Sequence, residues 1–268
     1  MAARTFTHSS SYLERRTLTK DHPLLAGLLQ PGMKVLDAGC GTGTMTVGMA
    51  EAVTPQGLVL GTDINAGFLE KARATFGAKP NLRFEQRDLT DLGQIGSFDV
   101  ATAARTLQWI PRPDAGVREL ARVTAPGGVV LVVDYNHTKV RWEPEPPASM
   151  RVFQAAWLAW RAGNGLDNEI ADHLADIFVD AGLTDVTVHP HHEPIRRADP
   201  GFVDTVRVWA SMARIHGPEM VEKGLISEGE RGQAADEFDA WVRDECRFQE
   251  MYLLGVTGKK ARVAPHPA

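Results

Sequence analysis

A glycine-rich run at positions 35–43, VLDAGCGTG, holds the residues whose types and spacing have the clearest chemical meaning. An apolar, strand-like stretch leads into this run, and a helix-like stretch, TMTVGMAEAV, follows it. Because glycine has no side chain, the backbone of such a strand-to-helix bend can approach a ligand closely and point amide groups at it. We therefore predict a ligand-binding bend, and its glycines are Gly39, Gly41 and Gly43.

Two neighbouring residues narrow the kind of ligand that the bend can hold. A dinucleotide-binding bend has a further glycine at the position where this chain has Thr44. Asp37 lies two residues before the first glycine. A carboxylate there favours a positively charged ligand, such as a sulfonium compound with an ammonium group, over a pyrophosphate. The bend therefore favours a sulfonium cofactor over a dinucleotide.

Acidic residues also end the next two predicted strands. Asp63 closes the segment LVLGTD, and Asp88 closes NLRFEQRD. Since ligands of open α/β sheets bind at the carboxyl edge of the strands, we expect these acids and the glycine bend to meet in space. A carboxylate can accept two hydrogen bonds from a cis-diol, so Asp63 is suited to hold a ribose.

Together these features resemble the class I S-adenosylmethionine (SAM)-dependent methyltransferases. The pattern Asp-x-Gly-x-Gly-x-Gly is followed in register by Asp63, by Asp88-Leu89 and by the segment LARVTAPGGVVLV at 120–132. The likeness covers residues 30–135 and points to the ubiquinone/menaquinone-methyltransferase-like subgroup. It implies SAM as cofactor, with Asp63 on the ribose hydroxyls and Asp88 on the adenine amino group. The cofactor-binding residues that it implies are Asp37, Gly39, Gly41, Gly43, Asp63, Ile64, Asp88, Leu89 and Ala104.

The segments after the fourth and fifth predicted strands are candidates for the acceptor side of the site. His137 is the first candidate for a catalytic base, with Tyr135 and Arg105 as groups that orient the acceptor. A sulfonium-bound methyl group is already electrophilic, so in-line transfer requires no metal, and we expect none. The histidines at 189, 191 and 192 are interpreted as a solvated strand end.

The alternation of strand-like and helix-like segments predicts the α/β fold class with a doubly wound, Rossmann-like sheet. We expect seven mostly parallel strands, an antiparallel last strand, and a helical insertion between strands 6 and 7. The expected divisions are an N-terminal helical cap, a SAM-binding core, a helical lid for the acceptor, and a final strand with a flexible tail. Their bounds are 1–30, 31–191, 192–247 and 248–268 respectively.

Composition limits the partners and the compartment. The chain has 268 residues, a net charge of −5 and two cysteines, Cys40 and Cys246. The negative net charge argues against a nucleic-acid partner, and two thiols are too few to form a disulfide framework. The sequence shows neither a secretory signal nor an apolar run long enough to span a membrane. We expect a cytoplasmic protein with a small-molecule acceptor and no membrane partner. The oligomeric state is left open, and a homodimer is one candidate.

Three other functions compete with that of a small-molecule methyltransferase. Enzymes that methylate amino groups of DNA usually carry an Asn/Asp-Pro-Pro-aromatic tetrapeptide after the fourth strand, where this chain has Ala-Arg-Thr-Leu at 104–107. An NAD-dependent oxidoreductase is disfavoured by Thr44. A protein that shares the fold but uses SAM structurally, or for a reaction other than methylation, stays open because fold alone does not choose a reaction.

Overall fold

The computed structural model describes residues 15–262, and these form two compact units. The first, called the core unit, contains the described residues up to Asp134, Ala171–Pro190 and those from Leu254 onward. The second, called the helical unit, contains Tyr135–Ile170 and His191–Leu253. Predictions for positions 1–14 and 263–268, including the start of the cap helix and the flexible tail, lie outside the described residues.

A single sheet organises the core unit. Its strand order is β3-β2-β1-β4-β5-β8-β6, and the adjacent strands among β1 to β5 are parallel to one another. The last strand, β8, is antiparallel to β6 and to the short β7. The strand bounds are β1 Lys34–Ala38, β2 Leu58–Asp63, β3 Leu82–Gln86, β4 Phe98–Ala104, β5 Thr124–Glu143, β6 Leu183–Pro190, β7 Glu193–Arg196 and β8 Phe248–Lys260.

This topology confirms the predicted α/β sheet with an antiparallel last strand, and it adds one strand. The sequence suggested one strand over 185–193, whereas the chain forms β6 and then β7 after a two-residue interruption. The pairing of β7 with β8 explains the division, because β8 is long enough to pair with β6 at one end and with β7 at the other.

Helices flank the strands. Their bounds are α1 Leu18–Asp21, α2 Pro23–Leu28, α3 Thr44–Ala52, α4 Ala66–Phe76, α5 Pro113–Val123, α6 Ala148–Gly163, α7 Ile170–Asp180, α8 Phe202–Val206, α9 Val208–Ile215, α10 Gly217–Glu222 and α11 Glu228–Asp244. A short 3-10 turn covers Leu107–Trp109. The described part of the predicted cap helix is divided at His22, because Pro23 has no amide hydrogen and is best accommodated as the first residue of a new helix.

The central strands are apolar because both of their faces are covered. Four of the five residues of β1 and six of the seven of β4 are buried. Parallel sheets that are covered on both faces have such near-continuous apolar runs. The bends at the carboxyl ends of these strands are therefore held in position by a well-packed sheet.

Aromatic packing holds the helical unit together. The ring of Trp142 meets Trp209 edge-on at 5.5 Å and Phe238 at 6.2 Å between centroids. Phe238 in turn lies 5.2 Å from Trp241. The Trp142 indole Nε1 donates to Gln249 Oε1 at 2.9 Å. This unit draws on residues before and after α7, so it includes more of the chain than the segment 192–247 that the sequence suggested as a lid; those bounds stay a prediction.

The first prediction concerns this aromatic packing. Phe238→Ala should lower the free energy of unfolding by about 3–5 kcal/mol, because it removes a fully buried ring and leaves a cavity. Val152→Ala, at a site on α6 that is 47% exposed, should change it by less than about 0.5 kcal/mol. Urea unfolding followed by tryptophan fluorescence measures both. Equal losses for the two variants would contradict the assigned packing.

Candidate functional site

The glycine bend adopts a conformation that only glycine accommodates easily. Gly39, Gly41 and Gly43 all have positive φ, at 79°, 55° and 81°. A Cβ added at Gly39 would lie 2.2 Å from Thr106 Oγ1, and one at Gly43 would lie 2.8 Å from the Phe84 ring. Both the backbone angle and the close packing therefore require glycine at these two positions.

Asp63 ties the end of β2 to this bend. Its Oδ2 accepts a hydrogen bond from the Gly41 amide at 2.9 Å, and its Oδ1 accepts one from the Asn65 amide at 2.8 Å. Burial raises the pKa of the Asp63 carboxyl, while the hydrogen bonds from Asn65, Gly41 and Ile64 partly offset that rise. Each carboxylate oxygen can accept more than one hydrogen bond, so the side chain keeps acceptor capacity for a diol.

Asp37 is a second acid beneath the bend. It is 2% exposed, and its Oδ2 accepts a hydrogen bond from Thr46 Oγ1 of α3 at 2.7 Å. Burial raises the pKa of Asp37 to about 6, the Thr46 bond opposes the rise, and the negative charge of Asp63 adds to it. A buried carboxylate with this pKa gains free energy when a cation approaches, because the cation stabilises the ionised form.

The Thr42 hydroxyl provides a direct test of whether the bend fits SAM. Thr42 is 4% exposed, and its Oγ1 makes no hydrogen bond to any protein atom among residues 15–262. A buried polar atom without a partner costs free energy unless a ligand or water supplies one. An amino-acid nucleoside offers an ammonium, a carboxylate and a ribose, which match a buried acid, a half-buried acid, a hydroxyl donor and the bend. The residues present therefore fit SAM.

The other predicted cofactor residues lie at the ends of their strands. Asp88, just after β3, accepts hydrogen bonds at Oδ1 from the Thr90 amide and hydroxyl, both at 2.8 Å. Leu89 is buried, Ala104 ends β4, and the Ile64 carbonyl accepts a bond from Gln86 Nε2 at 3.0 Å. The Asp88 bonds form a local turn, so its contact with adenine stays a prediction.

Two of the three predicted catalytic residues are brought together in the helical unit. The rings of Tyr135 and His137 stack with centroids 5.4 Å apart. Tyr135 Oη donates to Glu193 Oε2 at 3.2 Å, and the His137 amide donates to the Asn168 carbonyl at 2.7 Å. Glu193 lies on β7, which the sequence did not reveal as a separate strand, so no pattern pointed to its contact with Tyr135.

The protonation of His137 follows from its surroundings. Burial, and secondly the positive charge of Arg161, hold the pKa of His137 well below its ordinary value. The imidazole is therefore neutral at physiological pH. Arg105, the third predicted residue, belongs to the core unit, where its Nη2 donates to the Asp21 carbonyl at 3.0 Å.

The neighbouring histidines support the strands. His189 Nε2 lies 3.1 Å from Thr257 Oγ1, and His192 Nδ1 accepts a bond from the Leu253 amide at 3.3 Å. Among residues 15–262, no group of three or more His, Cys, Asp or Glu side chains is arranged to hold a metal ion. Within the same range, no helix is long and apolar enough to cross a membrane.

Comparison with protein families assigns the class. A family model described as a methyltransferase domain matches residues 29–171, and the chain belongs to that family. The predicted SAM-dependent methyltransferase class and its cofactor SAM are therefore confirmed at the level of the family. The individual roles of the site residues stay predictions.

Curated relatives match part of this chain. Trans-aconitate 2-methyltransferase of Deinococcus radiodurans is 43% identical over 109 residues, which are 40% of either chain. Demethylmenaquinone methyltransferase of Lactococcus lactis is 38% identical over 109 residues, which are 40% of this chain and 43% of the relative. The matches thus span less than half the length of these relatives.

Solved structures share the fold over most of the chain. A phosphoethanolamine N-methyltransferase of Haemonchus contortus in complex with SAM superposes with a TM-score of 0.54 and 18% identity, over 91% of this chain and 51% of that one. The [4+2]-cyclase SpnF superposes with a TM-score of 0.55 and 19% identity, over 96% of this chain and 87% of that one. At these identities the likeness concerns the fold alone.

The second prediction tests the ribose acid. Asp63→Asn should weaken binding of S-adenosylhomocysteine about 10- to 100-fold, because it removes the charge from a hydrogen-bonding carboxylate. Asp99→Asn is a matched control, since Asp99 Oδ2 also accepts a backbone amide bond, from Lys34 at 2.8 Å. Titration calorimetry should find the control within about two-fold of wild type. Equal affinities for both variants would refute the assignment of Asp63.

The third prediction is a pH dependence of cofactor binding. Because the pKa of Asp37 is about 6, its carboxyl is largely protonated at pH 5 and ionised at pH 7. An ammonium group binds the ionised form better, so affinity for S-adenosylhomocysteine should rise with pH, with a midpoint near 6. In Asp37→Asn, which keeps an acceptor for Thr46, the rise should disappear. Titration calorimetry between pH 5 and pH 7 measures this affinity in both proteins. An unaltered rise in the variant would contradict the role of Asp37.

Proposed function

We propose that this protein transfers the methyl group of SAM to a small-molecule acceptor by in-line displacement. The observation that carries the proposal is the Asp63–Gly41 hydrogen bond, which joins the ribose acid and the glycine bend in one site. When bound, SAM supplies a methyl group made electrophilic by its sulfonium. The protein's task is to hold the donor, orient the acceptor and exclude water.

The donor side is assigned to the core unit. Asp63 would accept hydrogen bonds from the ribose hydroxyls, Asp37 would balance the charge of the ammonium group, and the Thr42 hydroxyl would donate to the carboxylate. Buried acids are costly when ionised and isolated, so a ligand cation offsets part of that cost. Ile64, Asp88, Leu89 and Ala104 complete the cofactor residues in this proposal.

The acceptor side is assigned to Tyr135 and His137. A neutral imidazole can remove a proton from an acceptor hydroxyl or activated carbon as the methyl group arrives. Tyr135 stacks on that imidazole and is held at its hydroxyl by Glu193, so its ring orientation is fixed from both sides. These contacts support His137 as the base and Tyr135 as the group that orients the acceptor.

The acceptor is proposed to be a small molecule. The two curated relatives are named for trans-aconitate and demethylmenaquinone, and both names support a small organic acceptor. Net charge of −5 argues against a nucleic acid as acceptor. A cytoplasmic location and a homodimer belong to the same proposal, together with the division into cap, core and lid.

A second candidate is a reaction other than methylation. The [4+2]-cyclase SpnF shares this fold, and a fold alone does not choose a reaction. In that case the site would still bind SAM, but no S-adenosylhomocysteine would form.

The fourth prediction separates these candidates and tests the base. Protein incubated with SAM and a panel of small acceptors, including trans-aconitate and a demethylmenaquinone analogue, should form S-adenosylhomocysteine, measured by mass spectrometry. His137→Ala should lower kcat about 10²- to 10⁴-fold, the usual contribution of a general base.

The controls for this assay are a binding measurement and a second histidine. His137→Ala should bind S-adenosylhomocysteine as wild type does, which shows that the variant is folded. His189→Ala, at a histidine that faces Thr257, should keep full activity. Binding of SAM without turnover on any acceptor would favour the second candidate over methyl transfer.

A further inference from the structure

Arg105 has two features that are unusual for a residue assigned only to an acceptor pocket. Its side chain is 6% exposed although it carries a permanent charge. Its backbone has a positive φ of 59°, a conformation that is unfavourable for a residue with a long side chain. Such strain persists only where the surrounding contacts fix it.

The contacts of Arg105 lie on both sides of it. Its amide donates to the Val133 carbonyl of β5 at 2.6 Å, which fixes the backbone at the end of β4. Its guanidinium Nη2 donates to the Asp21 carbonyl at 3.0 Å, at the end of α1. The side chain thus links the carboxyl edge of the sheet to the corner between α1 and α2, here called the α1–α2 corner and defined as residues 17–22.

Other contacts hold the same corner. His22 is fully buried, and its Nε2 lies 3.5 Å from Thr102 Oγ1 of β4. On the opposite side, a Cβ added at Gly48 of α3 would lie 2.8 Å from Leu18 Cβ, so α1 and α3 are in close contact. The α1–α2 corner therefore touches β4, which pairs with β1, and α3, the helix that follows the glycine bend.

The loop that carries Arg105 also touches the bend itself. Thr106 Oγ1 donates to the Ala104 carbonyl at 3.2 Å and approaches the Ala38 carbonyl at 3.4 Å. Thr106 also fills the space that a side chain at Gly39 would occupy. A displacement of residues 105–106 would therefore change the packing of Thr106 against Gly39 in the cofactor bend.

From this geometry we infer that Arg105 is a positioning residue that fixes the α1–α2 corner against the cofactor bend and thereby sets cofactor affinity. It acts through the Asp21 carbonyl and through Thr106, without touching the reacting atoms. The link to cofactor affinity rests on the proposed function, whereas the tie to the corner does not.

The fifth prediction uses two independent measurements on the full chain. Arg105→Met keeps the length of the side chain but removes its donors, and it should weaken binding of S-adenosylhomocysteine about ten-fold by calorimetry. Hydrogen exchange of peptides that cover residues 17–22 should become at least ten-fold faster, because the amides of Asp21 and His22 are protected by bonds within this corner.

Matched variants separate positioning from general damage. Arg105→Lys retains one donor and should recover part of both losses. Arg105→Gly relieves the positive φ, so it should fold readily but still show both losses. Arg122→Met is the control, since Arg122 Nη2 also donates to a backbone carbonyl, that of Gly93 at 2.8 Å, in addition to its ion pair with Glu119; it should change neither measurement.

Each outcome decides between the alternatives. Weaker ligand binding with unchanged exchange at 17–22 would mean that Arg105 acts on the ligand directly, and faster exchange with unchanged affinity would mean that the corner does not set affinity; both overturn the inference. If the wild-type protein bound no S-adenosylhomocysteine, the proposed function would fail and the link to affinity with it, while the exchange comparison would still test the tie between Arg105 and the corner.

Discussion

The hydrogen bond from the Gly41 amide to Asp63 Oδ2, at 2.9 Å, is the interaction on which the site depends. It joins the bend after β1 to the end of β2, two neighbouring parallel strands of the sheet. A buried carboxylate is unfavourable without donors, and the bend supplies one while Asn65 supplies another. The acid and the bend therefore stabilise each other, and Asp63 can still accept further hydrogen bonds from a ligand.

The sequence was informative where backbone demands dictate residue type. Gly39 and Gly43 are needed for positive φ and for close packing, and such demands appear in the sequence as glycines. The apolar runs of β1 and β4 likewise follow from burial on both faces, which is why the sheet could be predicted.

Features that depend on tertiary contacts could not be read in this way. The division between β6 and β7 arises from pairing with the distant β8, and the Tyr135–Glu193 bond follows from that same arrangement. Local patterns carry no signal for partners that lie far away in the sequence. The bond of Arg105 to Asp21 and the buried Thr42 hydroxyl were missed for the same reason.

Burial gives the two units different electrostatic roles. In the core unit it raises the pKa values of Asp37 and Asp63, so both acids gain when a cation binds. In the helical unit it lowers the pKa of His137, so that the imidazole is neutral at physiological pH. One physical effect thus favours the neutral form of all three side chains, which raises the pKa of the acids and lowers the pKa of the histidine.

The most direct measurement of the central claim is titration calorimetry of the wild-type protein with SAM and, separately, with NAD⁺. We expect SAM to bind at one site per chain, and NAD⁺ to show no binding at the same concentrations. Binding of NAD⁺ without binding of SAM would contradict the assignment of the glycine bend and Asp63 to a sulfonium nucleoside.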